Sequence, residues 1–156
     1  MRFVPLLALL VALASQPAIS DTAIRPADGP IVLARSGATA IYLWDASPYV
    51  ASLLKEGVTS DAGMRALEAT AVSILADKAS TNADARTLSI RVVYQKTGAV
   101  SPAYGTATFN GIEKVMTVSL MRDDAVRSGK QFASDVAAGN VPSQVHIDVT
   151  GVLPSK

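Results

Sequence analysis

Apolar residues along this chain follow two rhythms, one of period two and one near 3.6, and the switches between them outline its elements. Ile31 to Ala34 and Ala38 to Trp44 are apolar or β-prone runs separated by Arg35-Ser36-Gly37, a spacing that predicts a hairpin. In the second run Tyr42 and Trp44 share one face, Ile41 and Leu43 the other. With both faces apolar, this strand is expected to be covered on both sides or by its own loops. Ser47-Pro48 predicts a helix start, with Ser47 as N-cap and Pro48 at the first helical position, where its missing N–H has no partner to lose. Gly57 is placed to end that helix. A longer helix is expected from Ser60 or Asp61 to about Ala79, with Met64, Leu67, Ala71, Ile74 and Leu75 forming one stripe.

The clearest strand follows. Leu88, Ile90, Val92 and Tyr94 alternate with Ser89, Arg91, Val93 and Gln95. Thr97-Gly98 suggests a turn, and Ser101 to Phe109 a thinner strand in which Pro102 favours an edge position. Asn110-Gly111 has the composition of a two-residue hairpin turn. Beyond it, Met116, Val118 and Leu120 alternate with Thr117 and Ser119. A helix capped by Asp123 is expected over about Asp124 to Ala138, with Val126, Gly129, Ala133 and Val136 inward and Phe132 beside them. Gly129 in its interior suggests close approach of helix to sheet. Gln144 to Val152 reads as a closing strand, with Val145, Ile147 and Val149 against His146, Asp148 and Thr150.

Strands that occur in runs joined by turns point to an α+β domain, a two-layer and mostly antiparallel sheet packed against two or three helices. The helix between the strands near 112–121 and 144–152 suggests that these two run parallel with another strand between them, a ferredoxin-like or split β-α-β variant. A cystatin-like sheet wrapped round the long helix is the alternative.

The first twenty residues follow a different logic. Met1-Arg2 is a short positive start, Phe3 to Ala14 an apolar run, and Ser15 to Ser20 a polar, helix-breaking stretch with small residues at Ala18 and Ser20. This is the order of a secretory signal cut after Ser20, with Ala12-Leu13-Ala14 a second possible cleavage motif. The apolar run is too short to cross a bilayer, which needs about 20 residues, and with no Cys there is nothing to acylate. Residues 21–156 are then expected to form one exported domain, with the periplasm favoured over the extracellular medium because the chain lacks disulfides.

Export also changes the charge balance. The whole chain of 156 residues holds 14 Lys and Arg against 13 Asp and Glu, and Arg2 is the only charged residue before Asp21, so the mature chain carries 13 of each sign. Such a chain offers no electrostatic basis for nucleic acid. Absence of Cys also removes thiolate chemistry, Cys-ligated zinc and iron–sulfur clusters.

His146 is the single histidine, and Asp148 follows on the same strand face. Together they are the only candidates for a general base with an orienting carboxylate. No second His or Cys completes a metal site, and no phosphate loop, nucleophile elbow or S-x-x-K context occurs. Asp123-Asp124 is explained by a helix start. No cofactor or metal is expected. Trp44 is expected in the core, and Tyr104 is the aromatic residue expected to be exposed. The remaining candidate is a polar sheet face comprising Arg91, Gln95, Thr117, His146 and Asp148, an extended surface suited to a protein or a glycan or simply to solvent. The expectation is a small exported non-enzymatic binding or envelope-accessory protein, with another envelope or secreted protein or a glycan as partner. A small hydrolase using His146, and an enzyme inhibitor or immunity protein, are the alternatives.

Overall fold

The computed structural model describes residues 27–95, 112–151 and Leu153. The expected signal at residues 1–20, the strand expected over Ser101 to Phe109, the turn expected at Asn110-Gly111 and Tyr104 lie outside these residues. In chain order the elements are β1 (Ile31–Ser36), β2 (Thr39–Asp45), α1 (Ser47–Lys55), α2 (Ser60–Ala79), β3 (Thr87–Gln95), β4 (Ile112–Met121), α3 (Arg122–Ala137) and β5 (His146–Val149). They form a mixed five-stranded sheet with helices on one side, an α+β domain.

The expected hairpin is present, with β1 and β2 antiparallel and Ser36 opposite Thr39. β2 is followed by the α1–α2 crossover and pairs in parallel with β3, Tyr42 opposite Ile90. β3–β4 and β4–β5 are antiparallel, and the spatial order is simply β1-β2-β3-β4-β5. The β4 and β5 relation therefore corrects the sequence expectation: they are adjacent and antiparallel, with no strand between. Helix α3 spans 16 residues, about 24 Å of travel. Residues 138–145 that follow it can extend over roughly 26–29 Å. That connection is long enough to bring His146 back level with Ser119, near the end of β4 at which the chain left the sheet.

One face of the sheet supplies the core. Tyr42 and Trp44 of β2, Leu88, Ile90, Val92 and Tyr94 of β3, and Met116, Val118 and Leu120 of β4 are all buried. Trp44 is fully enclosed, stacked edge-on against Tyr49 of α1 with ring centroids 5.4 Å apart, and its indole N–H donates to the Asp28 carbonyl at 3.0 Å. Helix α2 has a far wider buried face than its apolar stripe suggested. Ala66, Ala69, Thr70 and Val72 join Leu67, Ala71, Ile74 and Leu75, because α2 is packed by the sheet on one side and α3 on another. Met64 of the expected stripe is only half-buried.

Several helix ends are held differently from expectation. Ser47 is not the α1 cap: its backbone N–H and its hydroxyl both donate to Asp45 Oδ1, at 3.0 and 2.6 Å, so the last residue of β2 organises the first turn. α2 starts at Ser60 as expected, and Thr59 caps it by accepting from the Ala62 N–H. Gly57 ends α1 as expected. Its φ of 74° lets Val58 N–H reach the Leu53 carbonyl and Gly57 N–H the Leu54 carbonyl, the paired bonds of a Schellman close.

α3 begins at Arg122 with Met121 at the cap position and no capping side chain. Asp123 is thus a first-turn residue with Asp124, placed to interact with the positive end of the helix dipole. The inner face of α3 is Ala125, Gly129, Ala133 and Val136, whereas Val126 is 57% exposed. The close approach at Gly129 is to α2, not to the sheet: a Cβ there would lie 2.6 Å from the Ala76 Cβ. Lys130 ties the same two helices, 2.6 Å from Asp77 Oδ1 and 3.0 Å from Ser73 Oγ.

Candidate functional site

The second face of the sheet is the candidate site, because the helices all pack on the first. Residues paired across neighbouring strands point to the same face, so the register assembles transverse rows. One row runs Ala34, Ile41, Ser89, Ser119, His146, and the next Val32, Leu43, Arg91, Thr117, Asp148. Of the sequence candidates, Arg91, Thr117, His146 and Asp148 are thus brought together on one surface. Arg91, His146 and Asp148 are exposed and Thr117 is half-buried. Gln95 ends β3, and Tyr104 is outside the described residues.

Strand spacing sets the scale. Arg91 and Asp148 stand two strands apart in one row, so their Cα atoms are separated by about 10 Å. His146 and Asp148, two residues apart on β5, stand about 7 Å apart along the strand. Among the described residues no side-chain hydrogen bond or ion pair ties Arg91, His146 or Asp148 to a neighbour, so all three present their side-chain polar atoms outward. Ser119 lies directly across from His146, yet the two side chains are not hydrogen-bonded. Among the described residues no group of three metal-ligating side chains comes together.

The row ends differ in character. On β3 to β5 the face carries Ser89, Arg91, Thr117, Ser119, His146 and Asp148. On β1 and β2 it is apolar, with Val32 60% and Leu43 43% exposed beside the half-buried Ile41. The expectation that β2 is covered on both faces is therefore corrected: its Leu43 side is open. The apolar residues on that side border the polar rows on one continuous surface.

A second cluster escaped sequence reasoning altogether. On the helix side, at the β1 edge, the Asn82 side-chain amide donates to the Tyr42 hydroxyl and, at 2.9 Å, to the Lys78 carbonyl. Asn82 Oδ1 accepts from Arg35 at 3.1 Å, and Arg35 pairs with Asp84 at 2.5 Å. Burial pushes the Tyr42 hydroxyl up from its ordinary pKa, partly offset by the Asn82 bond. The Arg35 guanidinium holds the exposed Asp84 carboxyl below the usual range. Two shallow cavities of about 260 and 310 Å³ adjoin this cluster and share Ile31 and Lys78 in their walls. Arg35 in an otherwise apolar strand was the only sequence signal, and nothing in it pointed to Asn82 or Asp84.

No family model, curated protein or solved structure matches the chain.

Proposed function

We propose that this is a small exported, non-enzymatic binding protein that recognises a partner protein across the open face of its sheet. The observation that carries this reading is the register. It sets an apolar patch, Val32, Ile41 and Leu43, directly beside a polar one, Arg91, Thr117, Ser119, His146 and Asp148. Protein interfaces combine an apolar centre with polar and charged groups that fix orientation, and a rigid sheet presents both without ordering a loop. A glycan site would call for a concave, aromatic-lined surface, whereas the rows here carry aliphatic residues on their apolar side. Export is supported by the Met1 to Ser20 pattern, and among the described residues no helix is long and apolar enough to cross a membrane.

A photo-reactive residue at Thr117, introduced in the exporting host, tests the reading. Crosslinking is expected to a defined envelope or secreted protein, lost with Arg91→Glu and absent when the probe is at the α3 residue Gln131. Retention of the crosslink in Arg91→Glu contradicts it. So does a turnover activity abolished by His146→Ala alone, which would favour a hydrolase. Capture of polysaccharide in place of protein would make a glycan the partner.

A further inference from the structure

We infer that β1 is a self-complementary edge through which two copies of this chain pair, joining their sheets about a two-fold axis centred on Leu33. Among the described residues β1 is the outer strand of the sheet and pairs only with β2. Natural edges are blunted by charge, proline, bulges or brevity. The opposite edge, β5, has just four residues with Asp148 among them. β1 has six residues, a regular register with β2 and one charge. That charge, Arg35, is tied back to Asp84 and Asn82 on its own molecule.

The hydrogen-bonding parity of the edge is set by the hairpin. Asp45 N–H donates to the Pro30 carbonyl, which makes the 30/45 pair a hydrogen-bonded one. Bonded and non-bonded pairs alternate in an antiparallel ladder, so Val32, Ala34 and Ser36 turn their peptide groups toward β2. Ile31, Leu33 and Arg35 therefore aim their N–H and C=O groups outward. Pro30 falls on the inward parity, so the N–H it lacks is not one the outer edge would offer.

An antiparallel copy with Leu33 opposite Leu33 satisfies all three positions, because Ile31 then faces Arg35 of the second copy and the reverse. Every outward N–H and C=O of the three residues finds a partner. On the open face Val32 meets Ala34 of the other copy, extending the apolar strip that Leu43 and Ile41 flank. The two Arg35 side chains are displaced by four residues along the strands, about 13 Å. A two-fold at Ala34 would bring them about 7 Å apart along the strands, which selects the Leu33 register. Pairing extends the open face across both sheets, so a dimer presents two copies of the proposed recognition surface side by side, but the pairing does not depend on that surface's role.

Sedimentation of the purified chain at about 100 µM, a concentration that populates a micromolar complex, is expected to give a dimer. Leu33→Pro removes an outward N–H without touching the β1–β2 ladder, and Leu33→Lys adds a charge where the two copies meet; both are expected to give folded monomers, as judged by circular dichroism. Because the chain has no Cys, Leu33→Cys places one thiol per chain at the axis. The Cα separation there is about 5.5 Å, within the disulfide range. It should crosslink on oxidation faster than Ala34→Cys. A monomeric parent chain, a dimer that survives Leu33→Lys, or faster crosslinking from Ala34→Cys each overturns the proposal.

Discussion

Replacing Gly129 by alanine sets two effects of opposite sign against each other. In an exposed helix interior the change gains about 1 kcal/mol from backbone propensity. At Gly129 the new methyl would stand 2.6 Å from the Ala76 Cβ and 3.2 Å from its Cα. Unstrained carbon atoms sit about 3.5–4.0 Å apart, so α2 and α3 must separate by about 1 Å at this contact. Overpacking of that kind costs about 1–3 kcal/mol, and Lys130, bonded to both Asp77 and Ser73, opposes the separation. Gly129→Ala is therefore expected to destabilise by up to about 2 kcal/mol, not to stabilise. Combining it with Ala76→Gly moves the methyl to the other helix and should recover most of the loss, giving a coupling of about 1–3 kcal/mol in a double-mutant cycle. Urea unfolding of the four proteins measures this. A Gly129→Ala protein more stable by the full propensity gain, or strictly additive changes, would refute the close helix contact.

Asn82→Ala should cost about 1–3 kcal/mol by stripping the buried Tyr42 hydroxyl of its partner, and Tyr42→Phe in the same background should recover part of it in thermal melts. Trp44→Phe should cost about 1–3 kcal/mol through the cavity it leaves and the unpaired Asp28 carbonyl, read by denaturant unfolding. The Asp84 carboxyl titrates below its ordinary value because of Arg35. Its contribution to stability is present above the unfolded pKa and lost as pH falls through the folded one; carbon-detected NMR titration should show Asp84 returning toward the ordinary value in Arg35→Ala. Burial raises the Glu68 pKa, partly offset by Arg65, so the charged form opposes folding at neutral pH. Glu68→Gln should match or exceed the parent in stability at pH 7 and lose that advantage in acid, where the parent carboxyl is already protonated.

Local features were legible where side-chain alternation alone decides them. The β1–β2 hairpin and the buried face of β3 follow from period-two patterns closed by turn residues. Pairing between strands distant in sequence was not legible. The antiparallel β4–β5 pair depends on how far residues 138–145 carry the chain, and no local pattern encodes that distance. Helix faces were blurred by small residues: Ala125 and Val126 both fit a stripe, and the contact with α2 at Gly129 selects the smaller one. Ser47 has the chemistry of a cap, yet its N–H and hydroxyl turn to Asp45, and Thr59, one residue before α2, caps that helix. Of the candidate site, the shared face of Arg91, Thr117, His146 and Asp148 was readable from parity within each strand. Its apolar half was not, since Leu43 reads as core until the helices are seen to lie on the other side.

The open sheet face is proposed as a recognition surface for a protein. Titrating the crosslinked partner against the parent chain, Arg91→Glu, Leu43→Asp, His146→Ala and Gln131→Glu by calorimetry tests it most directly. Losses of tenfold or more, at least about 1.4 kcal/mol, are expected for Arg91→Glu and Leu43→Asp, with a smaller loss for His146→Ala and unchanged affinity for Gln131→Glu. Equal affinity across all five proteins, or a loss confined to the α3 variant, would contradict it.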